Sequence, residues 1–397
     1  MQVKVRKGDT LWYYSQLFRV PFQLVLDSNL NKSVTKLMIG ETVYIPGFIT
    51  KKYIVQSGES FWVLSQRYNV SIDAIYLLNQ SINPYQLTVG QTINLPLKVT
   101  WPIVQGKKEY DYKEMMTDLR RLKTVYPFLR TQTIGKSVMG KPIPEVTIGV
   151  GTKKVHANGS FHGNEWITSA ILMTFLNDYL LAVTNIKPIR KMMLMPLYLT
   201  SFLSLVPMVD PDGVDLVLNG PPNEEPYRSL VLKLNEGNSD FSNWKANIRG
   251  VDLNNQFPAK WEIEQRRKPQ EPAPRDYPGQ APLTEPEALA MSELTKKRNF
   301  DRVLAFHSQG EEIYWGYESL EPKESETIVK EFSRVSGYKP VRLLDSFAGY
   351  KDWFIQEWKR PGYTIEVGMG VNPLPLSQFE EIYEENLGIL LASLYME

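Results

Sequence analysis

The sequence predicts an α/β protein: two small βααβ modules followed by one larger domain of alternating strands and helices. Three observations carry this. Residues 3–46 and 53–96 superpose at an offset of 50 without a gap. From Tyr110 onward, short apolar strands alternate with helical stretches. Finally, 43% apolar and 12% aromatic residues in a chain of 397 supply enough material for packed cores, which excludes wholesale disorder.

Composition narrows the chemistry. Lys plus Arg number 45 and Asp plus Glu 44, a net charge of +1, so nothing favours nucleic acid or an anionic membrane as the main partner. The absence of Cys excludes disulfides, thiolate nucleophiles and thiolate metal sites. Any imidazole site must draw on His156, His162 and His307, the only three His.

The N-terminus carries Lys4, Arg6, Lys7 and Asp9 with no apolar run behind them, so no signal peptide is predicted and a cytoplasmic location is expected. The uncharged stretch Met192–Val209 contains Pro196 and Pro207, which suits a buried strand running into turns rather than a membrane span.

In each repeat a short alternating strand (Val3, Val5; Tyr53, Val55) enters a Gly turn. A helix N-terminus follows at Asp9-Thr10 or Glu59-Ser60, whose side-chain oxygens can cap free N–H groups. A second apolar stretch ends at Asn29 or Asn79, and a loop through Gly40 or Gly90 leads to a strand closed by Pro46 or Pro96. The pattern V-x-x-G-D-T-L-W-x-x-S, then N, then L-x-x-G-x-x-x-x-I-P resembles the lysin motif (LysM). That resemblance implies two domains, residues 2–47 and 51–97, that bind N-acetylglucosamine-containing glycan. It also implies a groove between the loops Gly8–Leu11 and Leu37–Gly40, and between Gly58–Phe61 and Leu87–Gly90 in the second copy, with Gly8, Asp9, Thr10, Gly58, Glu59 and Ser60 as binding residues. Taken singly, these residues are equally turn and cap chemistry, and backbone amides can read N-acetyl groups without charged side chains.

A large domain is predicted over 107–397. Met115, Leu119, Leu122 and Val125 recur at helical spacing and stop at Pro127. Two strands flank the Gly140-Lys141 turn, and the strand around Val155–Phe161 feeds a helix from Trp166 to Leu181. Arg266–Glu287, with six prolines, reads as a long ordered surface loop, because the strand Val303–Phe306 follows it.

Phe161-His162-Gly163-Asn164-Glu165 lies where a strand gives way to a helix, so His162 and Glu165 can point a nitrogen and a carboxylate at one spot. His307 emerges from the end of an apolar strand. Two nitrogens and one carboxylate make a three-ligand zinc site with an open position. Glu366 sits within the apolar strand Tyr363–Gly368, where a carboxylate is costly unless paired or used, so it is the candidate general base.

In order, these segments resemble the zinc carboxypeptidase family: I-G-x-S-x-x-G-x-x-I at 134–143, F-H-G-N-E at 161–165, P-M-V-D-P-D-G at 207–213, G-V-D-L-N at 250–254, A-F-H-S-Q-G at 305–310 and T-I-E-V-G at 364–368. The resemblance implies a mixed sheet flanked by helices and one Zn2+. It assigns His162, Glu165 and His307 as ligands, Glu366 as base, and a structural role to His156. It also exposes departures. Exopeptidase members follow the family's Asn with an Arg that clamps the substrate's terminal carboxylate, whereas here Asn254 is followed by Asn255. The oxyanion-stabilising Arg is replaced by Lys245, with Arg249 near it, and the choice between the two stays open. Leu344 stands where the family has a tyrosine, and Lys351 would suit an acidic side chain.

Glycan modules joined to such a hydrolase resemble the γ-D-glutamyl–diamino acid endopeptidases of spore-forming bacilli. The implied function is hydrolysis of the γ-D-glutamyl–diaminopimelate bond of peptidoglycan stem peptides, inside the sporulating cell, with no nucleic-acid partner and no membrane insertion. The alternatives are a zinc deacylase of small acylated amino acids and a non-catalytic peptidoglycan-binding protein.

Overall fold

The repeat forms two copies of one βααβ unit, and the computed structural model describes all residues from 1 to 397. In the first copy, strands β1 (Gln2–Lys4) and β2 (Thr42–Tyr44) pair antiparallel around helices Leu11–Phe18 and Phe22–Asp27. In the second, β3 (Phe48–Ile54) and β4 (Thr92–Lys98) pair around helices Phe61–Tyr68 and Ile72–Leu78. The core of the second copy is Val55, Phe61, Leu64, Ile75, Ile93 and Leu95. Each contributes about 1.5–3 kcal/mol of burial, which the ordering entropy of so small a module largely offsets. Local hydrogen bonds therefore matter. Thr10 and Ser60 cap their helices by accepting from Tyr13 N–H (3.0 Å) and Val63 N–H (3.3 Å). The motif Asn joins helix to strand: Asn29 donates to the Val25 and Tyr44 carbonyls and accepts from Tyr44 N–H, all at 2.8 Å. Asn79 repeats the pattern with Ile75 and Asn94.

The chain divides into two compact units. One comprises residues 1–103 with 118–130 and 177–196, the other 104–117, 131–176 and 197–397. Inside the first, Arg6 of one module reaches Asp73 of the other through Nη1 (2.8 Å) and Nη2 (2.7 Å), and Gln80 donates to the Lys4 carbonyl (2.9 Å). The division falls inside the helices Tyr112–Val125 and Ile167–Asn185. Three hydrogen bonds account for this: Gly47 N–H to the Val125 carbonyl (2.9 Å), Asn185 to the Val99 carbonyl (3.0 Å) and Ile103 N–H to Asn177 (2.8 Å).

The second unit is built on an eight-stranded mixed sheet. Its strands are β5 (Arg130–Lys136), β6 (Pro142–Ile148), β7 (Lys153–Asn158), β8 (Ser201–Val206), β9 (Arg302–His307), β10 (Glu312–Tyr314), β11 (Lys339–Val341) and β12 (Gly362–Glu366), in the order β11-β10-β12-β9-β7-β8-β6-β5. The central four, β12, β9, β7 and β8, run parallel, so their carboxyl ends share one edge. One core layer packs Phe161, Phe257, Val303, Ala305, Tyr350 and Trp353 together. The apolar helix region Gly163–Asn185 is long enough to cross a membrane, but 83% of its apolar window is buried in the fold, as suits a core helix. The stretch Met192–Val209 contains strand β8, preceded by a short helix, Met195–Thr200, that the sequence pattern did not reveal.

Candidate metal centre

The site forms at the carboxyl ends of the parallel strands. The chain leaves β7 at Asn158 and turns tightly through Gly163–Glu165 before the helix Ile167–Asn185 begins. A Cβ at Gly163 would lie 2.6 Å from the Gly213 carbonyl oxygen, so the turn can press against the helix Pro211–Asn219 only with a glycine there. Asp210 caps that helix by accepting from Gly213 N–H (2.9 Å). The two glycine-containing motifs thus buttress each other. His307 ends β9, and Glu366, its register partner, ends β12.

His162, Glu165 and His307 are all buried, and one ligand atom from each lies within 4.8 Å of the others. His162 Nδ1 is 2.8 Å from Glu165 Oε1, His307 Nδ1 is 3.0 Å from Oε2, and the two Nδ1 atoms are 3.2 Å apart. The other face of His162 is held by Asp252, whose Oδ1 is 3.1 Å from Nε2. A carboxylate behind an imidazole fixes the tautomer that leaves the front nitrogen free, the usual support of a metal-bound His. This donor set, with room for a fourth group, fits catalytic zinc.

Electrostatics prepare these groups for a cation. Burial opposes ionisation of Glu165, but the two imidazoles overcome it and hold its carboxyl far below the usual range. Burial pulls the His162 imidazole down, and Glu165 and Asp252 together outweigh it, leaving His162 raised. In His307 burial wins and the value is lowered. Burial, followed by the negative charge of Glu165, pushes Glu366 up to about 8. A cation on Glu165 removes the second of these causes and favours the ionised base. Burial opposes the charge of Asp252, but Lys245, His162 and Lys268 together outweigh it and hold Asp252 well below its usual range.

The ligands open into a cleft of about 430 Å³, within the range of small-molecule sites. Glu366, Lys245, Asn254, Asn255, Leu344 and Lys351 all line it. Glu366 is the last residue of its strand rather than its middle, so its carboxylate faces the cleft instead of the core. Arg249 stands elsewhere. It does not line the cleft; its half-exposed guanidinium pairs with Glu285 (3.5 Å), and Asn247 holds its turn by accepting from the backbone of Arg249 and Val251. Of the two basic candidates, Lys245 alone lies in the cleft, between Asp252 (2.8 Å) and Asp276 (2.9 Å). Lys351 is buried against Asp352 (2.6 Å) and the Gly316 carbonyl (2.8 Å), which engages the charge expected to meet substrate. His156 packs on Phe300 and bonds Ser204 away from the cleft, and burial lowers it to about 3, a neutral core imidazole.

In the repeats, the side chains of Asp9, Thr10, Glu59 and Ser60 are engaged internally. Asp9 accepts from Arg6 and Tyr14, and Glu59 accepts from Gln56 N–H and Tyr53. Gly8 and Gly58 adopt φ of +88° and +76°, with open space where a Cβ would stand. These four side chains thus hold the turns and helix ends of the loops in shape.

Three contributors escaped the sequence reading. Asp252, in the G-V-D-L-N segment, was seen only as part of a motif. Lys268 and Arg275 come from the proline-rich loop, yet both line the cleft. Gln256 pins that loop by accepting from Thr284 and Glu285 N–H and donating to the Pro278 and Ala281 carbonyls. A buried Gln two residues beyond Asn254 was the available signal.

Comparison with known proteins agrees with this geometry. A family profile described as zinc carboxypeptidase matches residues 115–388, and one described as LysM domain matches 3–46 and 53–96. The chain is 61% identical over 396 residues to γ-D-glutamyl-L-diamino acid endopeptidase 1 of Lysinibacillus sphaericus, covering 100% of both chains. It is 47% identical over 303 residues to the uncharacterized protein YqgT of Bacillus subtilis (strain 168), covering 75% of this chain and 81% of that one. Among solved structures it resembles bovine thrombin-activatable fibrinolysis inhibitor in complex with tick carboxypeptidase inhibitor. There the TM-score is 0.57 at 17% identity, over 73% of this chain and 97% of that one, a likeness of fold alone.

Proposed function

Because this chain belongs to the zinc carboxypeptidase family and carries two LysM domains, we propose that it hydrolyses peptidoglycan stem peptides at the γ-D-glutamyl–diamino acid bond. The observation that carries the reading is the buried His162–Glu165–His307 cluster with Glu366 lining the same cleft. The 61% identity along the whole length supports the choice of bond.

His162, Glu165 and His307 would hold the zinc, and Asp252 fixes the ring of His162. When bound, zinc supplies a Lewis acid that polarises the scissile carbonyl and makes water more acidic. Glu366 takes a proton from the attacking water and returns it to the departing amine. Lys245, held between Asp252 and Asp276, presents a fixed cation beside the forming oxyanion. The LysM domains bind peptidoglycan glycan and raise the local concentration of stem peptide.

Digestion of a defined stem peptide, read by mass spectrometry, tests the bond. Cleavage between γ-D-glutamate and the diamino acid is expected. Cleavage only at a C-terminal residue, or none with zinc present, overturns the assignment. We also place the enzyme in the cytoplasm of the sporulating cell, on the resemblance to enzymes of spore-forming bacilli. A fluorescent fusion found only in the envelope of vegetative cells would contradict that placement.

A further inference from the structure

The cleft lacks an arginine beside Asn254, yet a stem peptide carries free carboxylates. We infer that Lys268, presented by Asn255, reads a free substrate carboxylate on the leaving-amine side of the scissile bond. The inference rests on the proposed peptidase function and deepens it.

Lys268 enters from the loop that follows the helix Trp261–Arg267, and its Nζ donates to Asn255 Oδ1 at 2.9 Å. A cation from another part of the chain therefore stands at the position whose own side chain is neutral. A second donor meets Glu264 Oε2 at 3.1 Å. An ammonium has three N–H groups, so one remains for a ligand. Lys268 is the partner of Glu264 Oε2, while Oε1 is held from elsewhere. Arg267 already bonds it at 2.6 Å while also holding the exposed Asp345, and Phe347 N–H donates to it at 2.8 Å.

The other cleft cations are differently placed. Lys245 is held between two carboxylates, and Lys351 is buried on Asp352 and a carbonyl. Arg275 is exposed and tied to the Asn243 carbonyl (3.1 Å). Among these cations Lys268 is the one that contacts Asn255, from an inward position in the cleft. A lysine is a point charge, without the bidentate fork that fixes a terminal carboxylate. It suits an enzyme that accepts carboxylates at more than one reach, as an endopeptidase does.

Two carboxylates offer this chemistry: the side-chain carboxylate of diaminopimelate and the C-terminal carboxylate of the diamino acid. Three γ-D-glutamyl substrates separate them: diaminopimelate C-terminal amide, lysine with a free C-terminus, and lysine amide, which lacks both. Steady-state kinetics would compare the wild-type enzyme, Lys268→Gln and Lys268→Arg at equal zinc content. The expected result for Lys268→Gln is a KM raised at least tenfold on one of the carboxylate-bearing substrates. Its kcat there should change less than threefold, lysine amide should be unaffected, and Lys268→Arg should recover most of the loss. Which substrate responds identifies the carboxylate. Equal losses on all three substrates would mark a structural residue or a contact to the glutamyl α-carboxylate, which all three retain, and would overturn the inference while the cleavage function stands. Failure of the wild-type enzyme to cut any γ-D-glutamyl bond would instead remove the function and the inference together.

Discussion

The glycan-binding modules and the catalytic cleft handle polar side chains in opposite ways. In the modules, Asp9, Thr10, Glu59 and Ser60 close turns and cap helices, and the loops present backbone at left-handed glycines. In the cleft, charged side chains are buried and aligned by partners, so that Glu165, Asp252 and Glu366 all titrate far from ordinary carboxylates. Turn and cap geometry tolerates a small, marginal core. A reactive site needs side chains locked by a large one.

The contrast breaks most visibly at Glu366. Glu366→Gln should lower kcat by about 10²–10⁴-fold, the usual contribution of a general base. Zinc content and sedimentation with insoluble peptidoglycan should both be unchanged. Activity above a tenth of wild type would remove Glu366 from the reaction.

Asp252→Ala comes next. It frees the rear nitrogen of His162 and leaves Lys245 with Asp276 alone, so zinc affinity should fall about 10–100-fold. Competition with a chelator measures this, and an unchanged affinity would make Asp252 a mere packing group.

A third test concerns Glu287, a buried carboxyl away from the cleft that burial, then neighbouring acids, pushes up to about 8. Because its folded value lies above its unfolded value of 4.5, its stabilising contribution is full below about 4.5 and is lost as pH rises through about 8. Glu287→Gln keeps the acceptor for Val138 N–H (2.8 Å) and removes the titration. The variant should match wild type near pH 5 and melt a few degrees higher near pH 8.5. Parallel melting curves across that range would contradict the burial argument.

The smallest effect is expected in the modules. Ser60→Ala should cost about 1 kcal/mol of stability by uncapping its helix. The folded protein should still bind peptidoglycan as before, because the Ser60 side chain serves the cap. A loss of binding without a loss of stability would return Ser60 to the ligand surface.

Much of this was legible in the residues. The gapless repeat and its Gly, Asn and Pro positions dictated the βααβ modules, because those positions carry turn and cap geometry that depends only on near neighbours in the chain. His162, Glu165, His307 and Glu366 could be named because catalytic zinc calls for few residue types, and three histidines left little choice. Tertiary structure alone decided the rest. It put Lys245 and not Arg249 in the cleft, turned Lys351 toward Asp352, brought Asp252 behind His162, and folded Lys268 and Arg275 of a proline-rich loop into the cleft. Ion pairs and second partners join residues far apart in sequence, through space that only the packed sheet and helices define, so no local pattern records them.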